Sequence, residues 1–488
     1  MLYIETLRAV CKPARQEPLQ VVTLLNYPGE VFTEKHCKGW AMMGPGRLIE
    51  TTWINVSRAP RILGYYAFDQ VNFPDDIGGC RPTLETLRTL AAKVFEPYGP
   101  MIRQLEVAPR RIAVLSSEAS RLYNKSPGLL GYPNYQPYHF YTVLAMAHLN
   151  ADVVFDETIE RYGLDAYDVL VLPKCDVLTK TVYEQVLAFQ KRGGMVIADQ
   201  YLGPSLSEAM RFDFDFTYRQ KVSANAIATG KIYLGAGQDD HIIPGKSEMT
   251  AVKGVTARQD QLIMESHAAR LRKELKGKVE PDVWCDRHDV LINVLEKHGV
   301  RYLVVFNDKR THDERTGPFK GIMEKLESQT VTIHVRRGKE TPVAYDLVKQ
   351  ERLDLKQTAE VLTVPVELGE LGGTIVALGP AEIARVTVAA PKRMMRNHRY
   401  ALRIRLVDAR RDTVRGLQPL RVVIKNPGGK KTEYSRYGCA SNGNYVFDLL
   451  PALNDPLGVW TMEVTDLTAG RSVTQRFEVV DNPSGKYH

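Results

Sequence analysis

Tyr167-Asp-Val-Leu-Val-Leu-Pro173 leads through a helix-patterned stretch to Arg192-Gly-Gly-Met-Val-Ile-Ala198. Two short, almost wholly apolar runs suit strands buried on both faces, as in a parallel sheet. Between them Val182, Val186 and Phe189 recur at helical spacing, Thr179 stands where an N-cap belongs, and Gly193-Gly194 supplies a left-handed stop. Upstream, Ile112–Leu115 and Ala151–Phe155 read as strands flanking a helix over Phe140–Leu149, preceded by a Tyr- and Pro-rich loop, Tyr123–Tyr138. Alternating strands and helices predict a doubly wound α/β sheet over 107–279. Within that span, Phe212-Asp-Phe-Asp-Phe216 alternates like an edge strand and Arg258–Leu275 is an amphipathic helix.

On the amino-terminal side, Leu19–Leu25 is a strand ending in the turn-rich Asn26-Tyr-Pro-Gly-Glu30. A helix over Gly46–Ser57 then leads to a second buried strand, Ile62–Phe68, ending at Asp69. Thr83–Phe95 is another helix, with Leu84, Leu87, Leu90, Ala91 and Val94 on one face and Thr83 as its cap. Two βα units cannot close a barrel of eight, so residues 1–106 are expected to belong to, or pack on, something larger.

On the carboxy-terminal side, Val290–Leu295, Arg301–Asn307, Gln329–Val335, Pro342–Leu347, Val361–Val366 and Gly373–Leu378 alternate as strands between turns. They predict a β-sandwich over 280–382. A further set, from Arg385–Val388 to Val473–Val479 with Trp460 in its core, predicts an immunoglobulin-like sandwich over 383–488.

The chain has 488 residues and a net charge of +8. Its densest basic stretch, Pro391–Arg411, alternates with apolar residues and reads as a solvated strand face, so no nucleic-acid partner is expected. No run of eighteen apolar residues occurs, and Glu5 and Arg8 interrupt the first apolar stretch, so neither a membrane span nor a secretion signal is expected. Cys11, Cys37, Cys80, Cys175, Cys285 and Cys439 form no CxxC pair. Isolated reduced thiols are the simplest reading, with a bridge among Cys11, Cys37 and Cys80 left open. Asp213, Asp215, Asp239 and Asp240 follow no calcium-loop spacing, so neither metal nor cofactor is expected.

Thr51–Asp69, with its Gly-Tyr-Tyr-x-x-Asp ending, resembles the seventh helix and eighth strand of barrel glycoside hydrolases. Phe95–Arg103 followed by Pro109–Leu115 is similar to the junction after the barrel in family 42 β-galactosidases and their relatives. The resemblance implies the tail of a (β/α)₈ barrel and a carbohydrate substrate. It places the acid/base after a fourth strand, upstream of any strand here, and the nucleophile after the seventh. Glu30 is then the candidate nucleophile, although it lies several residues past the strand end, and its plain alternative is a solvated loop acid. Tyr27, Trp40, Trp53 and Tyr66 are candidates for stacking on sugar faces, core packing being the alternative for Trp53 and Tyr66. Asp69 is a candidate to hold a sugar hydroxyl.

The 167–198 run resembles the class I glutamine amidotransferase-like fold. Active members carry a nucleophilic cysteine in the turn that reads Asp199-Gln-Tyr-Leu-Gly203 here. Asp199 and Gln200 form no thioester, and Cys175 follows the wrong strand, so glutamine hydrolysis is not expected. In family 42 glycosidases a domain of this fold without the cysteine mediates self-association, which implies a homo-oligomer. The competing reading is a non-enzymatic, carbohydrate-associated scaffold.

Overall fold

A computed structural model describes residues 5–6, 8–9, 20–24, 26–27, 41–42, 45–66, 81–123, 136–214, 257–309, 327–338 and 342–481. Strand β1 (Gln20–Leu24), helix α1 (Pro45–Val56) and strand β2 (Ile62–Tyr66) form a βαβ unit, the strands pairing parallel from Gln20↔Ile62 to Leu24↔Tyr66. Leu48, Ile49, Trp53 and Val56 make the buried stripe of α1. Helix α2 (Arg81–Leu90) runs through a wide turn at Ala91–Phe95 into α3 (Glu96–Ile102). Their inner face buries Leu87, Leu90, Val94, Tyr98, Met101 and Ile102. Thr83 is not the cap expected of it: the helix already runs from Arg81, and Thr83 is buried inside its first turn.

The α/β layer is a five-stranded, wholly parallel sheet of β3 (Ile112–Leu115), β4 (Ala151–Val154), β5 (Val169–Leu172), β6 (Met195–Ala198) and β7 (Met210–Arg211). Its spatial order is β4-β3-β5-β6-β7, so the chain reverses direction across the sheet between β3 and β5. The period-two alternation sends Ile112, Val114, Val169 and Val171 to one core and Ala113, Leu115, Leu170 and Leu172 to another. Helices α5 (Gln136–Met146) and α8 (Ala257–Leu275) pack on the first face, while α6 (Asp156–Tyr162) and α7 (Lys180–Lys191) line the second. Helix α4 (Glu118–Tyr123) follows β3. Thr179 Oγ1 accepts from Val182 N at 3.3 Å, and Gly193 adopts φ +92°, so both ends of α7 are as the sequence predicts. The expected edge strand over Phe212–Phe216 is shorter than its alternation suggests. Among the described residues pairing covers Met210 and Arg211, and beyond them Phe214 N bonds locally to Phe212 O while both rings are buried.

A four-stranded and a six-stranded sheet follow, sharing one apolar core that includes Val290, Leu303, Ile333, Val364 and Val376. The six-stranded sheet ends at Glu106–Val107, which pairs with Leu295 and Glu296 and covers an edge that would otherwise invite pairing. The last eight strands form a single sheet curled about Trp460, Met462, Phe447 and Ile404. Arg403 and Arg405 stand on its exposed face, as the alternation around them predicts.

One apolar cluster joins the βαβ unit, the α/β layer, the six-stranded sheet and the curled sheet, from Leu48 and Trp53 through Tyr98, Phe140 and Met264 to Tyr302 and Leu417. Trp53 is fully buried and donates Nε1–H to Leu371 O at 2.6 Å. Its ring lies on Gly373, where a Cβ would come within 2.6 Å of it. Trp53 is therefore a joint between α1 and the β layers, which decides between its two sequence readings in favour of core packing. Tyr302 makes a second joint, donating to Leu417 O at 3.0 Å and accepting from Leu417 N at 2.6 Å.

A buried carboxylate holds a third joint. Glu5 accepts from Arg58 Nε at 3.0 Å and from Arg110 Nη1 and Nη2 at 2.8 and 3.0 Å. Arg110 also reaches Ala151 O at 2.6 Å and Asn293 Oδ1 at 3.1 Å, and Asn293 donates back to Ser57 O. Burial alone would push the Glu5 carboxyl up. The guanidinium groups of Arg110, Arg58 and Arg8 outweigh it and hold the carboxyl far below its ordinary range.

Candidate functional site

Ligands of open parallel sheets sit outside the carboxyl ends of the strands, at the point where strand order reverses. In the α/β layer that point lies between β3 and β5, and this chain fills it with its own groups. Asp156, just after β4, accepts from Ser117 Oγ at 3.1 Å and from the N–H groups of Glu118 and Ala119 at 2.6 and 3.1 Å. The carboxylate thus occupies the start of α4, where an anionic ligand group would otherwise sit. Ser120 Oγ donates to Val177 O at 2.5 Å and accepts from Val177 N at 3.2 Å, stitching the β3 side to the β5 side.

The neighbouring turn, the one matching the amidotransferase elbow, is closed in the same way. Asp199 is 1% exposed and accepts from Lys174 N at 2.8 Å and Tyr201 N at 3.1 Å, while Gln200 is exposed. Burial raises the Asp199 carboxyl to about 6, against the pull of those two N–H donors. Gly203 N donates to Cys175 O at 3.1 Å, and a side chain at Gly203 would run into the Asp176 backbone. Cys175 is fully buried and its thiol is pushed well above the ordinary value by that burial. Buried, protonated and without a neighbouring base, it is no nucleophile.

At the βαβ unit the topology brings Tyr27 and Tyr66 to one end. Tyr66 is the last residue of β2, level with Leu24 at the end of β1, and Tyr27 follows in a short bridge paired with Ala41. Tyr66 therefore lies at the carboxyl end of a parallel strand, and Tyr27 three residues past the end of its neighbour. Glu30, Trp40 and Asp69 lie outside the described residues, as do Cys11, Cys37, Cys80, Asp215, Asp239 and Asp240. Among the described residues no group of three His, Cys, Asp or Glu side chains is placed to hold a metal ion. Among the described residues, too, no helix is long and apolar enough to cross a membrane.

Sequence reading missed a cysteine–histidine contact at the seam between the α/β and β layers. Cys285 Sγ lies 3.5 Å from His148 Nε2. Such a pair can generate a thiolate, but its surroundings forbid that here. His148 Nε2 meets Val290 O at 2.9 Å, so that nitrogen carries the proton and donates it to the carbonyl. The Cys285 thiol donates to Arg287 O at 3.2 Å and is pushed by burial to about 11. Burial, opposed only by the Val290 carbonyl, lowers His148 from 6.5 to about 3. The stability gained by keeping this ring neutral is fully present above 6.5 and is lost as pH falls toward 3. In an NMR titration the His148 ring protons are expected to hold one shift from pH 8 down to about 4, whereas a free imidazole titrates near 6.5. A midpoint near 6.5 would refute the buried neutral ring.

No family model matches the sequence, and no curated protein matches it. Among solved structures, the α-L-fucosidase isoenzyme 2 of Paenibacillus thiaminolyticus is 15% identical, with a TM-score of 0.44 over 70% of this chain and 58% of that one. A β-galactosidase from Bacillus circulans sp. alkalophilus is 13% identical, with a TM-score of 0.44 over 77% of this chain and 58% of that one. The β-galactosidase of Rahnella sp. R3 is also 13% identical, with a TM-score of 0.42 over 77% and 56%. These similar structures are glycoside hydrolases, and the chain spans somewhat under three fifths of the length of each.

Proposed function

We propose that this chain is a carbohydrate-associated protein of glycoside-hydrolase type. Sugar is met at the carboxyl ends of β1 and β2, and the α/β layer is a non-catalytic support that also carries self-association. The observation behind this reading is a contrast between two strand ends. The reversal point of the five-stranded sheet is filled by Asp156 and stitched by Ser120. Strands β1 and β2 end level with each other, Leu24 opposite Tyr66, and Tyr66 and Tyr27 are residue types suited to stacking on a sugar. Tyr27, Trp40 and Tyr66 would stack, Asp69 would hold a hydroxyl, and Glu30 would be the nucleophile. Retaining hydrolysis needs a second carboxyl about 5–5.5 Å from the nucleophile. The support role agrees with a core shared by the α/β layer, the βαβ unit and the six-stranded sheet.

Saturation-transfer NMR with methyl β-galactoside tests the reading. Signal is expected with the wild type, with a loss of about tenfold in affinity in Tyr66→Ala and in Asp69→Ala. Absence of transfer, or transfer indifferent to both changes, would sink sugar binding at this end. Glutamate released from glutamine would sink the non-catalytic role of the α/β layer, and a monomer by light scattering would sink self-association. The scaffold alternative predicts binding without hydrolysis of nitrophenyl glycosides.

A further inference from the structure

A cleft of 590 Å³ separates α3 from the curled eight-stranded sheet, within the roughly 300–1,000 Å³ usual for small-molecule clefts. It is far from a plain apolar groove. Phe95, Tyr437 and Tyr445 line it together with Glu96 and Arg103. Tyr445 lies over Gly438 on the adjacent strand, where a Cβ would approach its Cζ to 2.6 Å. A side chain at position 438 would therefore have to displace the ring. Phe95 is braced from behind by Tyr65 at 6.2 Å between centroids. The aromatic lining is half-buried and fixed in place before any ligand arrives.

Glu96 and Arg103 are exposed and have no hydrogen-bond or ion-pair partner among the described residues. They stand seven residues apart, so they share one helix face and are separated by roughly 10 Å along it. Arg61 lines the same cleft, so its charges are mixed, and with Gln104 they offer several donors and an acceptor around the aromatic rings. Fixed aromatic faces between planar polar groups suit a ring with apolar C–H faces and a rim of hydroxyls. The hydroxyls would accept from the guanidinium and donate to the carboxylate.

We propose that this cleft is a second carbohydrate site, which binds a neutral β-linked oligosaccharide of hexoses on Tyr445 without cleaving it. It stands on the cleft's own side chains and does not require sugar binding at the ends of β1 and β2.

Cellobiose and cellotriose are the probes, since their all-equatorial rings present apolar faces on both sides. Saturation transfer to their C–H protons is expected with the wild-type chain, and more strongly for the longer sugar. Tyr445→Ala is expected to weaken binding about tenfold and Arg103→Ala about threefold, while Tyr445→Phe binds nearly as the wild type. Arg103 is exposed, so Arg103→Ala reports on the cleft even if Tyr445→Ala disturbs folding. Tyr162→Ala, an exposed tyrosine outside the cleft, is expected to leave cellotriose binding unchanged. No transfer from either sugar, or affinities indifferent to both Tyr445→Ala and Arg103→Ala, overturns the proposal. Loss of cellotriose binding in Tyr162→Ala also overturns it, by moving the sugar outside the cleft.

Discussion

Arg110→Met is expected to lower the unfolding free energy by about 3–5 kcal/mol, the usual consequence of removing one partner from a buried ion pair. The side chains of Glu5, Arg58 and Arg110 are 1%, 3% and 4% exposed, so water cannot replace the missing guanidinium. The change would leave Glu5 facing only Arg58 and the more distant Arg8, and would deprive Ala151 O and Asn293 Oδ1 of a donor. Glu5→Gln is expected to act in the same direction by leaving two buried guanidinium groups together. The double change Glu5→Leu with Arg110→Met should be less harmful than the sum of its parts, because both single changes break the same Glu5–Arg110 pair, although Arg58 is left buried without its carboxylate. Urea denaturation measures all three. The folded Glu5 carboxyl is held far below its ordinary 4.5, so the stability it contributes is present above 4.5 and is lost only as pH falls well below that value. The gap between wild type and Arg110→Met should therefore stay open throughout pH 5–8. A loss under 1 kcal/mol, or a gap that closes within that range, would show that the cluster is not a joint.

Trp53→Ala is expected to have an effect of similar size, about 3–5 kcal/mol for a large aromatic removed from a core. It would empty the space against Gly373 and leave Leu371 O without its donor. Since the ring bridges α1 and the β layers, limited proteolysis is expected to release the βαβ unit first, while the curled sheet about Trp460 stays intact. Trp53→Phe should recover roughly half of the loss, restoring packing but not the hydrogen bond. Gly373→Ala should destabilise by a route of its own, since its Cβ would fall within 2.6 Å of the Trp53 ring. A Trp53→Ala protein that unfolds at the wild-type urea midpoint would remove the residue from the joint.

The βαβ unit, both ends of α7 and the alternation in the β layers were readable from sequence. Each rests on local periodicity or on a cap within four residues. Thr83 misled because a cap residue and a first-turn residue differ only in where the helix actually begins. Phe212–Phe216 misled because alternation reports which side chains are buried, and two aromatic rings can reach the same core without a strand between them. The candidate site was legible only in part. Tyr27 and Tyr66 follow from strand ends, but no pattern in the sequence singles out Asp156, in the first turn of α6. Its bonds to Ser117, Glu118 and Ala119 cross between neighbouring parallel strands, and no sequence pattern records which strands are neighbours.

By itself, then, the sequence determined the elements: which runs are strands, which faces are apolar, and that the elbow carries Asp199 and Gln200 where a thiol would be needed. Only the tertiary structure decided how those elements are joined and which sites stay open. Glu5, Arg58, Arg110 and Asn293 come from four distant segments, as do Trp53 and Gly373 from two, and their meeting depends on chain topology. A short-range pattern encodes a residue's conformation and burial. Contacts across hundreds of residues are set by the packing of whole layers, which also brought Cys285 to a histidine that cannot activate it.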